Sequence, residues 1–127
     1  MEAVYVILAA IMNFALGGVW HIMFSRQWLV ARGLRLDTIN RKDPIAYLVS
    51  FIGSLWASYG LFLIIKHIQP KNLEELLTIG IGSWLFIFVG MGAKHYAFAG
   101  MSLKSFLLDY GLDFFGFILM SLIIWQF

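Results

Sequence analysis

The chain has 127 residues, of which 61% are hydrophobic and 13% charged, with a net charge of +2 and no cysteine. Its mean hydropathy is +0.85. A soluble domain is about a quarter charged and under half apolar, so this balance excludes one; the lack of cysteine excludes disulfides, thiolate chemistry and cysteine-based metal sites. The basic residues sit between apolar runs, as the positive-inside rule arranges them, and do not form a nucleic-acid surface.

The expectation is an all-α polytopic membrane protein: one four-helix transmembrane bundle over residues 1–127, with spans at about 3–24, 44–66, 73–98 and 103–126. The first span carries no formal charge. Its Ala10, Asn13, Gly17 and His21 recur every three or four residues and share one face. Asn13 falls near mid-membrane. Glu2 and the missing basic n-region argue for a retained span and against a cleaved signal peptide.

Residues 25–43 mix Arg26, Arg32, Arg35, Arg41 and Lys42 with Trp28, Leu29, Leu34, Leu36 and Ile39. Two readings stand: a short interfacial helix anchored by Trp28, or an irregular solvated loop. Trp20 and Trp125 read as further interfacial anchors.

The second span opens with Asp43 as cap and Pro44 as first helical residue. Ala46, Ser50, Ser54 and Ser58 then repeat every four residues, a small-residue row suited to close helix packing. Asn72 and Glu75 hold capping-box spacing at the start of the third span. Gly80, Gly82, Gly90 and Gly92 lie inside it, Lys94 and His95 in its last turns, and Gly100 stops it. Ser102 caps the fourth span.

That last span carries Asp109 and Asp113, one helical turn apart. At about 1.5 Å rise per residue, Asp109 lies about 9 Å inside the boundary and Asp113 near the midplane. An aspartate at such depth costs about 2.5–3.5 kcal/mol on insertion scales, so both must face the bundle interior and find compensation. Counting lysine and arginine, seven fall in the first and third connections and two in the second. This bias places residues 25–43 and 99–102 in the cytoplasm and both termini outside a cytoplasmic membrane.

Three arrangements of the polar residues follow. In a structural one, Lys94 pairs with Asp109 and Asn13 bonds Asp113, fixing helix register. In a second, Asp109, Asp113, His21, His95 and Asn13 form a proton or cation pathway, since carboxyl and imidazole groups exchange protons. In a third, His21, His95 and Asp109 ligate a metal such as zinc. No nucleophile elbow, HExxH, P-loop or dinucleotide fingerprint is present and no cofactor is expected; the balance leans away from an enzyme, with a membrane-embedded metalloenzyme built on the metal trio as the third alternative.

Asn13, Gly17, Trp20 and His21, followed by Phe24 and Trp28, resemble the N/S-x-x-x-G-x-x-W-[YH] opening of the small four-span family catalogued as domain of unknown function 1761. The stretch from His95 and Tyr96 through Phe98 and Gly100 to Met120 resembles its second signature, an aromatic-glycine turn leading into a polar final helix. The resemblance implies the four-span fold over nearly the whole chain and no mechanism. The chain departs from that pattern at Ile22-Met23, where the family has Ser-Pro, and at Met101-Ser102, where it has a basic-Pro pair. Asp109 and Asp113 stand where the family commonly has asparagine and histidine.

Two functional expectations result: a small channel or carrier for protons or cations, or a non-catalytic scaffold or accessory subunit with a structural polar cluster. The partners expected are the lipid bilayer and further copies of the chain in a homo-oligomer.

Overall fold

The computed structural model describes residues 2–33 and 44–126. It is all-helical, with no strand among the described residues. Four helical stretches are each long and apolar enough to cross a membrane: Glu2–Arg32, Pro44–Ile68, Leu73–Phe98 and Leu103–Ile124. The first is α1 and the second α2. The third comprises α3 (Leu73–Gly82), a π-helical turn (Ser83–Val89) and α4 (Gly90–Phe98); the fourth is α5.

The first helix runs eight residues beyond the expected end of its span. Phe24 departs from helical geometry (φ −114°, ψ 17°) and bends α1, but the chain stays helical to Arg32. Gly33, at φ +66°, then stops it. Of the two readings for residues 25–43, the helical one holds for 25–32. Residues 34–43, with Arg35, Arg41, Lys42 and the Asp43 cap, lie outside the described residues.

Pro44 opens α2, and Gln69, at φ +54°, turns the chain ahead of Pro70. Asn72 caps α3 by accepting from the Glu75 amide at 2.9 Å. The Glu75 carboxylate accepts from the Lys71 amide rather than that of Asn72, one residue earlier than a capping box has it. At the end of α4 the Gly100 amide donates to the Ala97 carbonyl and the Met101 amide to that of Tyr96. This double closure is a Schellman motif, and it needs the φ of +69° that glycine supplies. Ser102 caps α5, accepting from the Ser105 amide at 3.1 Å.

Alternating direction puts the starts of α1 and α3 and the ends of α2 and α5 on one side. Lys66 and Glu2 pair there at 3.3 Å, both half exposed, and Trp125 donates to the Pro70 carbonyl. We call this the termini side and the opposite one the Arg32 side. The apolar core belongs to the termini half: Val6 and Ala9 of α1, Leu61, Phe62 and Ile65 of α2, Leu76 of α3, and Phe117, Met120 and Ile124 of α5. The outer surface is apolar as well, with Ile22, Trp56, Phe86 and Phe98 fully displayed. That is the arrangement of a bundle whose solvent is hydrocarbon.

Only half of the small-residue row on α2 packs. Ser54 and Ser58 are buried against α1: the Asn13 amide donates to Ser54 Oγ at 3.0 Å, and Ser58 Oγ donates to the Val6 carbonyl at 2.7 Å. Ala46 is exposed, and Ser50 is exposed and bonds back to the Ala46 carbonyl. A serine that satisfies itself on its own helix needs no neighbour.

Candidate functional site

One face of α5 carries Ser102, Ser105, Asp109, Asp113, Gly116 and Met120 at steps of three or four residues, so they form a single row. This row meets α1 along its length. Ser102 Oγ donates to the Ala31 carbonyl at 2.8 Å. Asp109 meets Trp28 and Arg32. At Gly116 the backbone comes so close to Asn13 Oδ1 that an added Cβ would overlap it.

Asp109 is fully provided for. Trp28 Nε1 donates to its Oδ1 at 3.0 Å, and Arg32 Nη2 donates to its Oδ2 at 2.5 Å. The Tyr96 hydroxyl donates to the same Oδ2, and Arg32 Nη2 also donates to the Tyr96 oxygen at 3.1 Å. The guanidinium lies over the Trp28 ring, 4.8 Å from its centroid. Three helices, α1, α4 and α5, are thus tied to one carboxylate by charge-assisted bonds, roughly twice as strong as neutral ones. Trp28→Phe keeps the ring under the guanidinium and removes one donor. It is expected to cost about 1.5–3 kcal/mol, the range for a hydrogen bond to a charged group, read as a lowered thermal midpoint in detergent.

The cation beside Asp109 is therefore Arg32, and the expected Lys94–Asp109 pair does not form. Lys94 is exposed on α4. Tyr96, two residues on, is turned by roughly 200° at 3.6 residues per turn, and it is Tyr96 that faces α5. Trp28, read as an interfacial anchor, is also a hydrogen-bond donor to Asp109. Trp20 packs on Phe24, with ring centroids 4.6 Å apart, and covers Gly111.

The remaining candidates separate. Asn13 bonds Ser54, not Asp113. His21 is exposed, its ring set edge-on to Trp28 at 5.6 Å. His95 is exposed on α4. No three histidine, aspartate or glutamate side chains converge as metal ligands among the described residues, so His21, His95 and Asp109 do not assemble the expected trio.

Asp113 differs from all of these. It sits on the α1-facing row between the Asp109 cluster and the Gly116–Asn13 contact, partly buried. Among the described residues no hydrogen bond or ion pair reaches its carboxyl group. Among the described residues, two further side-chain polar atoms are buried without a protein partner, Ser105 Oγ and Arg32 Nε.

Four apolar helices around a polar seam define a multi-pass membrane protein. The chain belongs to the family described as protein of unknown function (DUF1761), whose model matches residues 4–125. No curated protein and no solved structure matches it.

Arg32 and Tyr96 were not among the residues expected to carry the site. The signal for Arg32 was present. No glycine or proline interrupts residues 19–32, so nothing stops a helix that leaves the apolar stretch, and Trp28 and Arg32 at i and i+4 share a face.

Proposed function

We propose that this chain handles protons or cations within the membrane, as a small channel or carrier, with Asp113 as its exchangeable group. One observation carries this reading: Asp113 is a carboxyl group midway along an apolar helix long enough to span a membrane, on an interhelical seam, with no partner among the described residues. An intramembrane acid that is not paired is a functional candidate by default, because it has a cost that no contact offsets. Asp109 has the complementary role of holding α1, α4 and α5 in register, so the five-residue pathway expected from the sequence contracts to Asp113. His21, His95 and Asn13 serve structure or the surface. The lysine and arginine bias supports placing the Arg32 side in the cytoplasm of a cytoplasmic membrane, with both termini outside. A wide pore does not fit on the axis of four helices, so conduction as a channel would take a homo-oligomer.

Proteoliposomes loaded with a pH-sensitive dye test the proposal. Imposed gradients are expected to drive a signal that Asp113→Asn abolishes and Lys94→Ala leaves intact. No flux, or equal flux in Asp113→Asn, would overturn it. The scaffold reading draws on a different observation, the saturation of Asp109 and the tight glycine contacts. It expects Asp113→Asn to alter only stability or partner retention.

A further inference from the structure

Resting on the reading of Asp113 as the exchangeable group, we infer that in this arrangement it gains and releases protons from the Arg32 side only, through a water held between Ser105 Oγ and Arg32 Nε, and that it binds no metal cation.

The first ground is where the seam is closed. Toward the termini side, the next position on the α5 row after Asp113 is Gly116, sealed by Asn13, which is held in turn by Ser54. Behind that seal stand Phe117, Met120 and Ile124 with the apolar core of the other helices. The buried hydroxyls there, Ser58 and Ser121, are committed to the Val6 and Phe117 carbonyls, which leaves no free donor to hold a chain of waters, and apolar cavities stay dry.

Toward the Arg32 side the seam is polar at every turn. Arg32 begins beside Ser102, whose hydroxyl bonds the preceding residue's carbonyl, and its guanidinium ends at Asp109. Ser105 lies between those two points on the same row. There Ser105, fully buried, and Arg32 Nε both lack a protein partner. Buried polar groups are hydrogen-bonded with few exceptions. One water satisfies both atoms, accepting from Nε–H and donating to or accepting from the hydroxyl. It stands on the line from the surface past Asp109 to Asp113.

The second ground is charge and ligand count. Any ion entering by this route meets the Arg32–Asp109 pair, whose charges balance, so the route has no net negative charge to draw a metal cation in. A sodium or calcium ion at Asp113 would also need several oxygen ligands. Asn13 Oδ1 lies against the Gly116 backbone and its amide is committed to Ser54, so it adds at most one oxygen, short of that number. A proton needs one carboxylate oxygen and a water to deliver it. The titratable and charged groups facing this stretch are Asp109 and Tyr110 of α5, Arg32 and His21 of α1, and Tyr96 of α4. α2 presents Ser54 and Ser58, and the π-helical turn contains no ionisable residue. In the step itself a proton passes from water to one Asp113 oxygen and returns to the same side. A carrier cycle then requires a second arrangement in which the Asn13–Gly116 contact opens.

Infrared difference spectroscopy of the full chain in vesicles tests this. Lys71→Cys supplies the only thiol, so an impermeant reagent reads which side faces out. The expected result is a protonated-carboxyl band, absent in Asp113→Asn, that follows pH on the Arg32 side. It should not move when sodium replaces choline at fixed pH. After a pH jump its response should slow about tenfold in Ser105→Ala, the loss of one buried hydrogen bond, and stay near wild type in Ser105→Thr. A band shifted by sodium, an equally fast response from the termini side, a Ser105→Ala variant at wild-type speed, or no titrating Asp113 band would each overturn the inference. Dye flux without these spectral signatures sinks this inference and leaves the proposed function. The spectral signatures without flux do the reverse for transport.

Discussion

Arg32→Ala is expected to destabilise the bundle by about 3–5 kcal/mol and Lys94→Ala by less than about 0.5 kcal/mol. The contrast follows from geometry. Arg32 reaches Asp109 at 2.5 Å and bonds Tyr96, whereas Lys94 is exposed. Removing the guanidinium leaves a partly buried carboxylate with only the Trp28 and Tyr96 donors, and leaves Tyr96 without its second hydrogen bond. The two side chains of the pair are 24% and 21% exposed, so the lower part of the range applies. Equilibrium unfolding in detergent measures it, and a double-mutant cycle separates the pair from its surroundings. Arg32→Met combined with Asp109→Leu should cost clearly less than the sum of the two single changes, because neither partner is then left charged and alone. Equal losses in Arg32→Ala and Lys94→Ala would remove the assigned ion pair.

The second large effect is expected at Gly92, where alanine should cost about 1–3 kcal/mol as an overpacked contact. A Cβ there would overlap the Tyr110 hydroxyl and ring, and the ring is itself fixed between Tyr96 and Phe106. The clash would push α4 away from α5 and take Tyr96 with it, loosening the hold on Asp109. Gly90→Ala is the control, since a Cβ there meets nothing within 4 Å. It should be neutral or stabilise by roughly 0.5–1 kcal/mol, the gain of alanine over glycine in a helix. Tyr110→Phe removes the hydroxyl and should recover part of the Gly92→Ala loss. Similar melting midpoints for Gly92→Ala and Gly90→Ala would mean that α4 and α5 are not in close contact.

Asp109 shows why a helix face can be read when its partner cannot. The spacing of Ser102, Ser105, Asp109, Asp113 and Gly116 places them on one row whatever the tertiary structure, because the α-helix fixes 100° per residue. Depth along the membrane is fixed in the same way. Depth pointed to Lys94 as the cation for Asp109, and hydropathy left Arg32 in the connection by ending the first span near residue 24. Only the bend at Phe24, which keeps the chain helical to Gly33 and lays residues 25–32 along α5, decides the matter. The π-helical turn is likewise invisible in a run of aromatic and branched residues. It carries Trp84, whose Nε1 donates to the Tyr110 carbonyl at 2.7 Å.

By itself the sequence determined four membrane-spanning helices, most of their starts and stops, and two carboxyl groups turned to one face of the last helix. Those follow from hydropathy over the length of a bilayer and from helical period, which are local. Which carboxyl group is tied and which is free, and on which side the seam between α1 and α5 is sealed, was decided by the tertiary structure. Such pairings depend on how four helices rotate and bend against one another, and residues 81 positions apart, Trp28 and Asp109, meet only when that packing is complete.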